Sequence, residues 1–145
     1  MIRPITSGDR ETYLELCREF YHSPAVLHPV PEAHFARTFD RILAGSPFVK
    51  GYLLEQDGTA AGYALLAVTF SQEAGGEVFW IEELYLRPEF QGRGLGTELF
   101  RYLETHRPKT VARFRLELEP DNRDARRLYE RLGFSELGYG QMVRD

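Results

Sequence analysis

The spacing of apolar residues predicts two helices near the N-terminus. Apolar side chains recur every three or four residues from Arg10 to Tyr21, which is typical of an amphipathic helix. The same spacing returns from Glu32 to Leu43, and the proline-rich segment between the two helices is predicted as a loop. Before the first helix, Ile2 to Thr6 is predicted as a short strand, in which Pro4 suits the edge of a sheet.

The middle of the chain changes to the alternating pattern of strands. An Asp57-Gly58 pair between two apolar runs predicts a β-hairpin, with strands over residues 48–56 and 59–70. A long strand is predicted from Glu77 to Leu86, and Pro88 closes it. This part of the chain therefore supplies antiparallel neighbours in a sheet.

Helix and strand patterns alternate in the last third of the chain. A helix is predicted to end near His106, and a strand follows from Arg113 to Glu119. A last helix is predicted from Arg123 to Leu132, and the tail over residues 134–143 is predicted to hold one or two short strands. A strand–helix–strand passage joins parallel strands by a right-handed crossover. We therefore expect an α/β fold in a single domain, residues 1–145, with a mixed, mostly antiparallel central sheet, one parallel strand pair and about four flanking helices.

Composition and charge narrow the function classes. The chain has 145 residues, of which 43% are apolar and 28% charged, as is typical of a globular domain. No apolar stretch is long enough for a membrane helix, and the N-terminus lacks the apolar core of a signal peptide, so a cytoplasmic location is expected. The net charge of −4 argues against a nucleic-acid partner. The single cysteine, Cys17, has helical spacing with apolar residues and is interpreted as a packing thiol.

The segment QGRGLG, residues 91–96, is the most informative motif. It lies between a predicted strand and a predicted helix, where free backbone N–H groups at the positive end of the helix dipole suit a phosphate or pyrophosphate. A dinucleotide-binding fingerprint requires a glycine where Thr97 stands, and a Walker loop requires a lysine that this segment lacks. The pattern that remains is Q-x-x-G-x-G, through Gln91, Gly94 and Gly96. A glycine-rich turn that only starts a helix is the competing interpretation.

Two motifs together resemble the GNAT family, the Gcn5-related N-acetyltransferases. The Q-x-x-G-x-G segment is similar to the family's acetyl-CoA pyrophosphate loop, and a second family motif, N-x-x-A-x-x-L-Y-x-x-x-G-F, runs from Asn122 to Phe134. The predicted order of elements also resembles the family fold over nearly the whole chain. The resemblance implies transfer of an acetyl group from acetyl-CoA, as co-substrate and without a metal, to a primary amine. A non-catalytic acyl-CoA-binding sensor with the same fold is the alternative.

The resemblance implies that the long strand, the glycine loop and the last helix bind the cofactor. In the family, amides of the loop hold the pyrophosphate, and main-chain groups of the strand pair with the pantetheine. The residues implied here are Leu84, Tyr85, Leu86, Gln91, Gly92, Arg93, Gly94, Leu95, Gly96, Asn122 and Arg131. For the two arginines an exposed structural role is the alternative, and for Asn122 it is helix capping.

Two side chains are expected to carry the catalysis, Glu82 as base and Tyr129 as acid. An alkyl amine with a pKa near ~10.4 is mostly protonated at neutral pH, so a base must take a proton before the amine attacks the thioester directly. Glu82 and Glu83 lie in an otherwise apolar strand, and alternation directs them to opposite faces unless a bulge intervenes. The stretch resembles polyamine-type acetyltransferases, in which the base matches Glu82. Glu83 is the alternative base if a bulge changes the register, and the competing interpretation is that both carboxylates only face solvent or bind substrate. Tyr129 matches the family tyrosine that protonates the departing thiolate, and packing on the sheet is its alternative.

The acceptor is expected to be a small cationic amine, such as a polyamine or an aminoglycoside, rather than a protein. This expectation depends on Glu82, Glu83, Asp121 and the acidic total. Trp80 has the same strand parity as Glu82, and it either lines the acceptor pocket or packs in the core. No nucleic-acid or membrane partner is expected, and a homodimer is left open. The irregularly spaced histidines are interpreted as surface residues rather than metal ligands: His22, His28 and His34.

Overall fold

A five-stranded sheet runs through the molecule, with helices on both of its faces. The computed structural model describes all 145 residues. The strands are β1 (Ile2–Pro4), β2 (Val49–Gln56), β3 (Thr59–Ser71), β4 (Gly76–Leu86) and β5 (Val111–Leu116). The helices are α1 (Arg10–Tyr21), α2 (Glu32–Leu43), α3 (Leu95–His106) and α4 (Arg123–Arg131). None of these helices combines the length and the apolar character that crossing a membrane requires.

The strands lie side by side in the order in which they occur along the chain. The pairs from β1 to β4 are antiparallel, and β4 pairs with β5 in parallel. The β2–β3 connection is tight because Asp57 and Gly58 both take positive φ, 52° and 75°, as a two-residue hairpin turn requires. The predicted mixed sheet, its single parallel pair and the four helices are therefore confirmed.

Two apolar cores lie on the two faces of the sheet. On one face, Leu99 and Leu103 of α3 pack against Leu66 and Ile81, and α4 adds partly buried residues. On the other face, α1 and α2 pack around Tyr63 of β3. Each large side chain buried in this way contributes about 1.5–3 kcal/mol relative to exposure. The sheet is thus held from both sides, and its strand positions are constrained by alternating apolar residues.

Cys17 belongs to the α1–α2 core, as its spacing predicts. The residue is buried beside Tyr13 and Tyr63. Burial raises the pKa of the thiol to about 12, so the sulfur remains protonated at neutral pH. The interpretation of Cys17 as a packing residue is confirmed.

The C-terminal tail is where the strand prediction is wrong. No strand follows α4, and residues 135–145 make no backbone hydrogen bond. Gly138 has a φ of 85°, which interrupts an extended run, and no neighbouring strand supplies the ladder that a strand needs. Side chains hold the tail instead, since Tyr139 donates to Glu73 and Arg126 pairs with Glu136. The predicted one or two short strands over residues 134–143 do not form.

Candidate active site

β4 and β5 separate at a fork, and beyond it β4 has one edge without a strand partner. Pairing ends at Ile81 and Leu116, while β4 continues to Leu86. The amide of Arg87 donates to β3 at 2.9 Å. By strand alternation, the backbone groups of Leu84 and Leu86 point the other way, to the side that β5 has left. An edge of this kind can pair with an extended ligand that carries amide groups.

The glycine loop follows the fork and leads into α3. Gly92 and Gly94 have φ values of 72° and 83°, a region that favours glycine. The amides from Gly92 to Thr97 donate to no backbone or side-chain acceptor, and they lie at the positive end of the α3 dipole. Gly96 has another role, because a Cβ there would lie 2.9 Å from a methyl carbon of Leu128 in α4. The loop therefore offers a row of N–H donors with the geometry for a pyrophosphate.

The polar side chains implied in cofactor binding take different positions around this loop. The side-chain amide of Gln91 donates to the carbonyl of Leu86 at 3.0 Å, which braces the loop against the end of β4. Arg93 is exposed, with its guanidinium 5.5 Å from the ring centre of Phe90. Asn122 accepts a hydrogen bond from an α4 amide at 3.2 Å, as a helix cap does. Arg131 is exposed on α4.

Tyr85 is the member of the implied cofactor set whose position fits least. Its backbone groups share the alternation of Arg87 and face β3, not the free edge. Its side chain lies on the α1 face, where the hydroxyl donates to Glu19 at 3.2 Å. Glu19 also pairs with Arg87, at 2.8 Å. Tyr85 therefore links β4 to α1, while Leu84 and Leu86 present main-chain groups at the fork.

A bulge in β4 decides which way its two carboxylates point. Leu65 of β3 lies opposite Glu83 and Leu66 lies opposite Ile81, so Glu82 is the extra residue. Ile81 packs in the core on the α3 side, and strict alternation would turn Glu83 to that same side. The bulge turns Glu83 to the α1 side instead. The expectation that strict alternation directs Glu82 and Glu83 to opposite faces is therefore wrong, and the exception stated with it, a bulge, is what the structure has.

Both carboxylate oxygens of Glu83 are bound by tyrosine hydroxyls. Tyr63 donates to Oε2 at 2.5 Å, and Tyr21 donates to Oε1. Tyr63 is buried in β3, and Tyr21 is the last residue of α1. Burial and the nearby carboxylate raise the pKa of both tyrosines, so both hydroxyls stay protonated and can donate. Glu83 therefore ties the end of α1 to β4.

Glu82 has surroundings of another kind. Its side chain is exposed at the fork and makes no hydrogen bond with the protein. The walls of the fork still exclude enough water to raise the pKa of this carboxyl, and the charges of Glu117 and Glu83 raise it further. Glu117 directly follows β5, across the fork from Glu82. A carboxylate with free oxygens and a raised pKa is suited to accept a proton.

Tyr129 belongs to α4 and packs on the α3 side of the sheet. Its ring packs against Phe100 and Phe134, with centroid distances of 6.0 and 5.9 Å. Burial raises the pKa of its hydroxyl. A groove of about 1360 Å³ runs along the outer edge of β5, and both Tyr129 and Glu117 line it. The groove therefore has the protonated hydroxyl of Tyr129 and the carboxylate of Glu117 in its lining.

The remaining positions considered from the sequence are Trp80 and three histidines. Trp80 is half-buried, and the guanidinium of Arg115 is stacked 4.3 Å from its ring centre. No three His, Cys, Asp or Glu side chains are grouped as metal ligands. The three histidines considered from the sequence are exposed: His22, His28 and His34.

Sequence reasoning missed the residues that surround the carboxylates. Tyr21 and Tyr63 lie 62 and 20 positions from Glu83, and no local pattern connects them to it. Glu117 and Arg115 had a signal, because charged residues alternate with apolar ones along the predicted fifth strand. Arg115 and Glu117 are two residues apart, so the pattern predicts that they share a face of the sheet. Which β4 residues they lie beside depends on how β4 and β5 align, and the pattern does not give this alignment.

Comparisons with known proteins agree with this architecture. Residues 11–134 match the model of the acetyltransferase (GNAT) family. A thialysine N-ε-acetyltransferase from Bos taurus is 27% identical over 146 residues, which cover 94% of this chain and 85% of that protein.

Two solved structures share the fold at 18% identity. A possible acetyltransferase from Clostridium difficile 630 superposes with a TM-score of 0.83, over 100% of this chain and 96% of that one. The structure of AAC(6')-Iy in complex with the bisubstrate analogue CoA-S-monomethyl-acetylneamine has a TM-score of 0.81, over 100% and 97%.

Proposed function

Since the chain belongs to the GNAT family of acetyltransferases, we propose that it transfers an acetyl group from acetyl-CoA to a primary amine of a small cationic acceptor. The observation that carries the proposal is the fork. A free strand edge, a loop lined with N–H donors and a carboxylate without a hydrogen-bond partner meet there. The relatives named above support an amine acceptor, since one is called a thialysine N-ε-acetyltransferase.

The donor side fits acetyl-CoA through the main chain. The free amides from Gly92 to Thr97 would hold the pyrophosphate, and the backbone groups of Leu84 and Leu86 would pair with the pantetheine. When bound, acetyl-CoA supplies the activated thioester that the amine attacks. Binding through backbone groups leaves the side chains of the fork available for chemistry.

Glu82 is the base in this proposal, and the contacts of Glu83 support that assignment. Both oxygens of Glu83 are occupied, because each accepts a hydrogen bond from a tyrosine hydroxyl. Glu82 has free oxygens at the fork and a carboxyl pKa above its ordinary value. It can therefore take a proton from the acceptor ammonium, directly or through water, before the amine attacks.

Tyr129 is the acid that protonates the departing thiolate. Its raised pKa keeps the hydroxyl protonated, and its position on the α3–α4 side separates it from the base. A phenol with an ordinary pKa near ~10 protonates a thiolate whose acid has a pKa near ~8.5 against the gradient, and the raised pKa of Tyr129 steepens that gradient, so alignment with the sulfur has to compensate. The hydroxyl makes no competing hydrogen bond within the protein, so its proton is available to a bound thioester.

The proposal is tested by comparing binding with turnover. We expect acetyl-CoA to bind in calorimetry and free CoA thiol to appear when amines are added, with polyamines, aminoglycosides and diamino acids as the panel. Absence of acetyl-CoA binding would contradict the proposal outright. Binding without turnover of any amine would support a non-catalytic acyl-CoA sensor with the same fold.

A further inference from the structure

Arg115 is held on the acceptor face of the sheet by Trp80. Phe114 and Leu116 of β5 pack on the α3 side, so Arg115 between them points to the opposite face. Its Cα pairs with that of Trp80, and the guanidinium carbon lies 4.3 Å from the ring centre. The other cation–π contacts of the protein are longer, between 5.3 and 5.5 Å. Stacking on the ring fixes the plane of the guanidinium and leaves its edge free.

The edge of this guanidinium has no anionic partner in the protein. Arg115 forms no ion pair and donates no hydrogen bond, whereas Arg113 on the same face pairs with Glu73 at 2.9 Å. The charge of Arg115 helps to lower the pKa of Glu73, so the two residues are near each other. The two carboxylate oxygens of Glu73, however, already accept hydrogen bonds from Arg113 and Tyr139. Arg115 is thus a positioned cation with donors available for a ligand.

The distance from Arg115 to the fork matches the span of a small molecule. Trp80 precedes Glu82 by two residues on β4, and Arg115 precedes Glu117 by two residues on β5. At about 3.3 Å per residue, the anion site and the fork are roughly 7 Å apart along the sheet. Arg115 alternates with Phe114 and Leu116 of the α3-side core, and the charge of Glu82 acts on Tyr21 at the end of α1, so both side chains lie on the α1 side of the sheet.

We propose that the acceptor carries a carboxylate as well as an amine, and that Arg115 binds this carboxylate while Glu82 receives the amine. A diamino acid such as lysine or ornithine has both groups, joined by a flexible chain. The planar guanidinium can hold a carboxylate with two parallel hydrogen bonds. A diamine without the carboxylate places a neutral or cationic end against Arg115 and loses these bonds. The inference rests on the proposed function and assigns the acceptor class of the same site.

Matched substrates test the proposal. Lysine and cadaverine differ by the carboxylate, as do ornithine and putrescine. For the wild type we expect kcat/KM to favour the diamino acid by about 10- to 100-fold, since hydrogen bonds between charged groups contribute that much. In Arg115→Gln the preference should disappear through a higher KM for lysine, and cadaverine should gain rather than lose kcat/KM, because its cationic end no longer faces a guanidinium. Arg115→Lys should retain part of the preference, and Trp80→Leu should weaken it.

The control is Arg101→Gln, which removes an exposed cation from α3 and should change neither substrate. Equal use of lysine and cadaverine by the wild type would overturn the inference while the proposed acetyl transfer stands. A preference for lysine that persists in Arg115→Gln would overturn it as well. Turnover of no amine at all, with acetyl-CoA bound, would instead remove the proposed function and the inference together.

Discussion

The two halves of β4 differ in how many of their backbone N–H and C=O groups pair with neighbouring strands. From Glu77 to Ile81 the strand pairs on both edges, and its inward side chains are apolar. From Glu82 to Leu86 it pairs only with β3, and it carries two carboxylates and a bulge. The paired half stabilises the fold, while the half-paired end exposes backbone groups and a charge that a ligand can use. The groups that are free to contact a ligand therefore lie where β4 has lost its β5 partner.

Adjacent carboxylates within the half-paired end show the same contrast at the scale of one residue. Glu83 is tied by Tyr21 and Tyr63, and Glu82 is not tied by any protein group. One residue therefore connects elements, and its neighbour is available to a substrate. Substitutions can separate the structural role of Glu83 from the substrate-facing role of Glu82.

Glu82→Gln should remove the base and leave the fold and the donor site intact. We expect kcat to fall by about 10²–10⁴-fold, the usual contribution of a positioned general base. The dissociation constant for acetyl-CoA should not change, because main-chain groups bind it. Glu83→Gln is the matched control, since the glutamine carbonyl still accepts from one tyrosine while its amide N–H faces the hydroxyl oxygen of the other, and its loss of kcat should be much smaller. Equal losses in the two variants would contradict the assigned roles.

Tyr129→Phe removes only a hydroxyl, and it should slow thiolate departure by about 10²-fold. This effect is at the low end for acid catalysis, because water can supply the proton instead. The measurement is CoA release in single-turnover and steady-state kinetics. Tyr139→Phe, which alters an exposed hydroxyl in the tail, serves as the control. Unchanged kinetics in Tyr129→Phe would contradict its role as the acid and would leave Tyr129 as a packing residue.

Gly94→Ala should weaken acetyl-CoA binding, because the loop needs a φ of 83° at this position. The left-handed conformation costs a residue with a Cβ about 1–2 kcal/mol, which corresponds to a KM increase of roughly tenfold if the loop rearranges to relieve it. Gly75→Ala is the control, since Gly75 has a φ of 76° with open space around it and lies far from the loop in sequence. If both variants lose stability but neither raises the KM, the loop does not bind the donor.

Tyr63→Phe should affect stability more than chemistry. The substitution leaves Oε2 of Glu83 without its buried donor, at a cost of about 1–3 kcal/mol in the free energy of unfolding. Chemical denaturation measures this cost. Tyr21→Phe should lose less, because Tyr21 is only half-buried. A Tyr63→Phe protein as stable as the wild type would show that the Glu83 contacts contribute little to holding α1 on β4.

The sequence predicted the fold well because local patterns determine most of it. The helical spacing of α1 to α4, the Asp57-Gly58 turn and the glycine loop all lie within short windows. The bulge at Glu82 is different, since it depends on how β3 and β4 align over the whole hairpin. The same holds for the stacking of Arg115 on Trp80, which depends on the register of β5. The tail prediction is wrong because alternation alone forms no strand without a partner.

The pH dependence of kcat/KM tests the central assignment of Glu82 most directly. The base must be ionised, so activity should fall as the pH drops through the pKa of Glu82, which lies above the ordinary value of a glutamate. The titration of the free amine, near ~10.4, lies far above this inflection and does not overlap it. We predict that Glu82→Gln removes the acidic inflection and that Glu83→Gln keeps it. An inflection that persists in Glu82→Gln and is lost in Glu83→Gln would contradict the account.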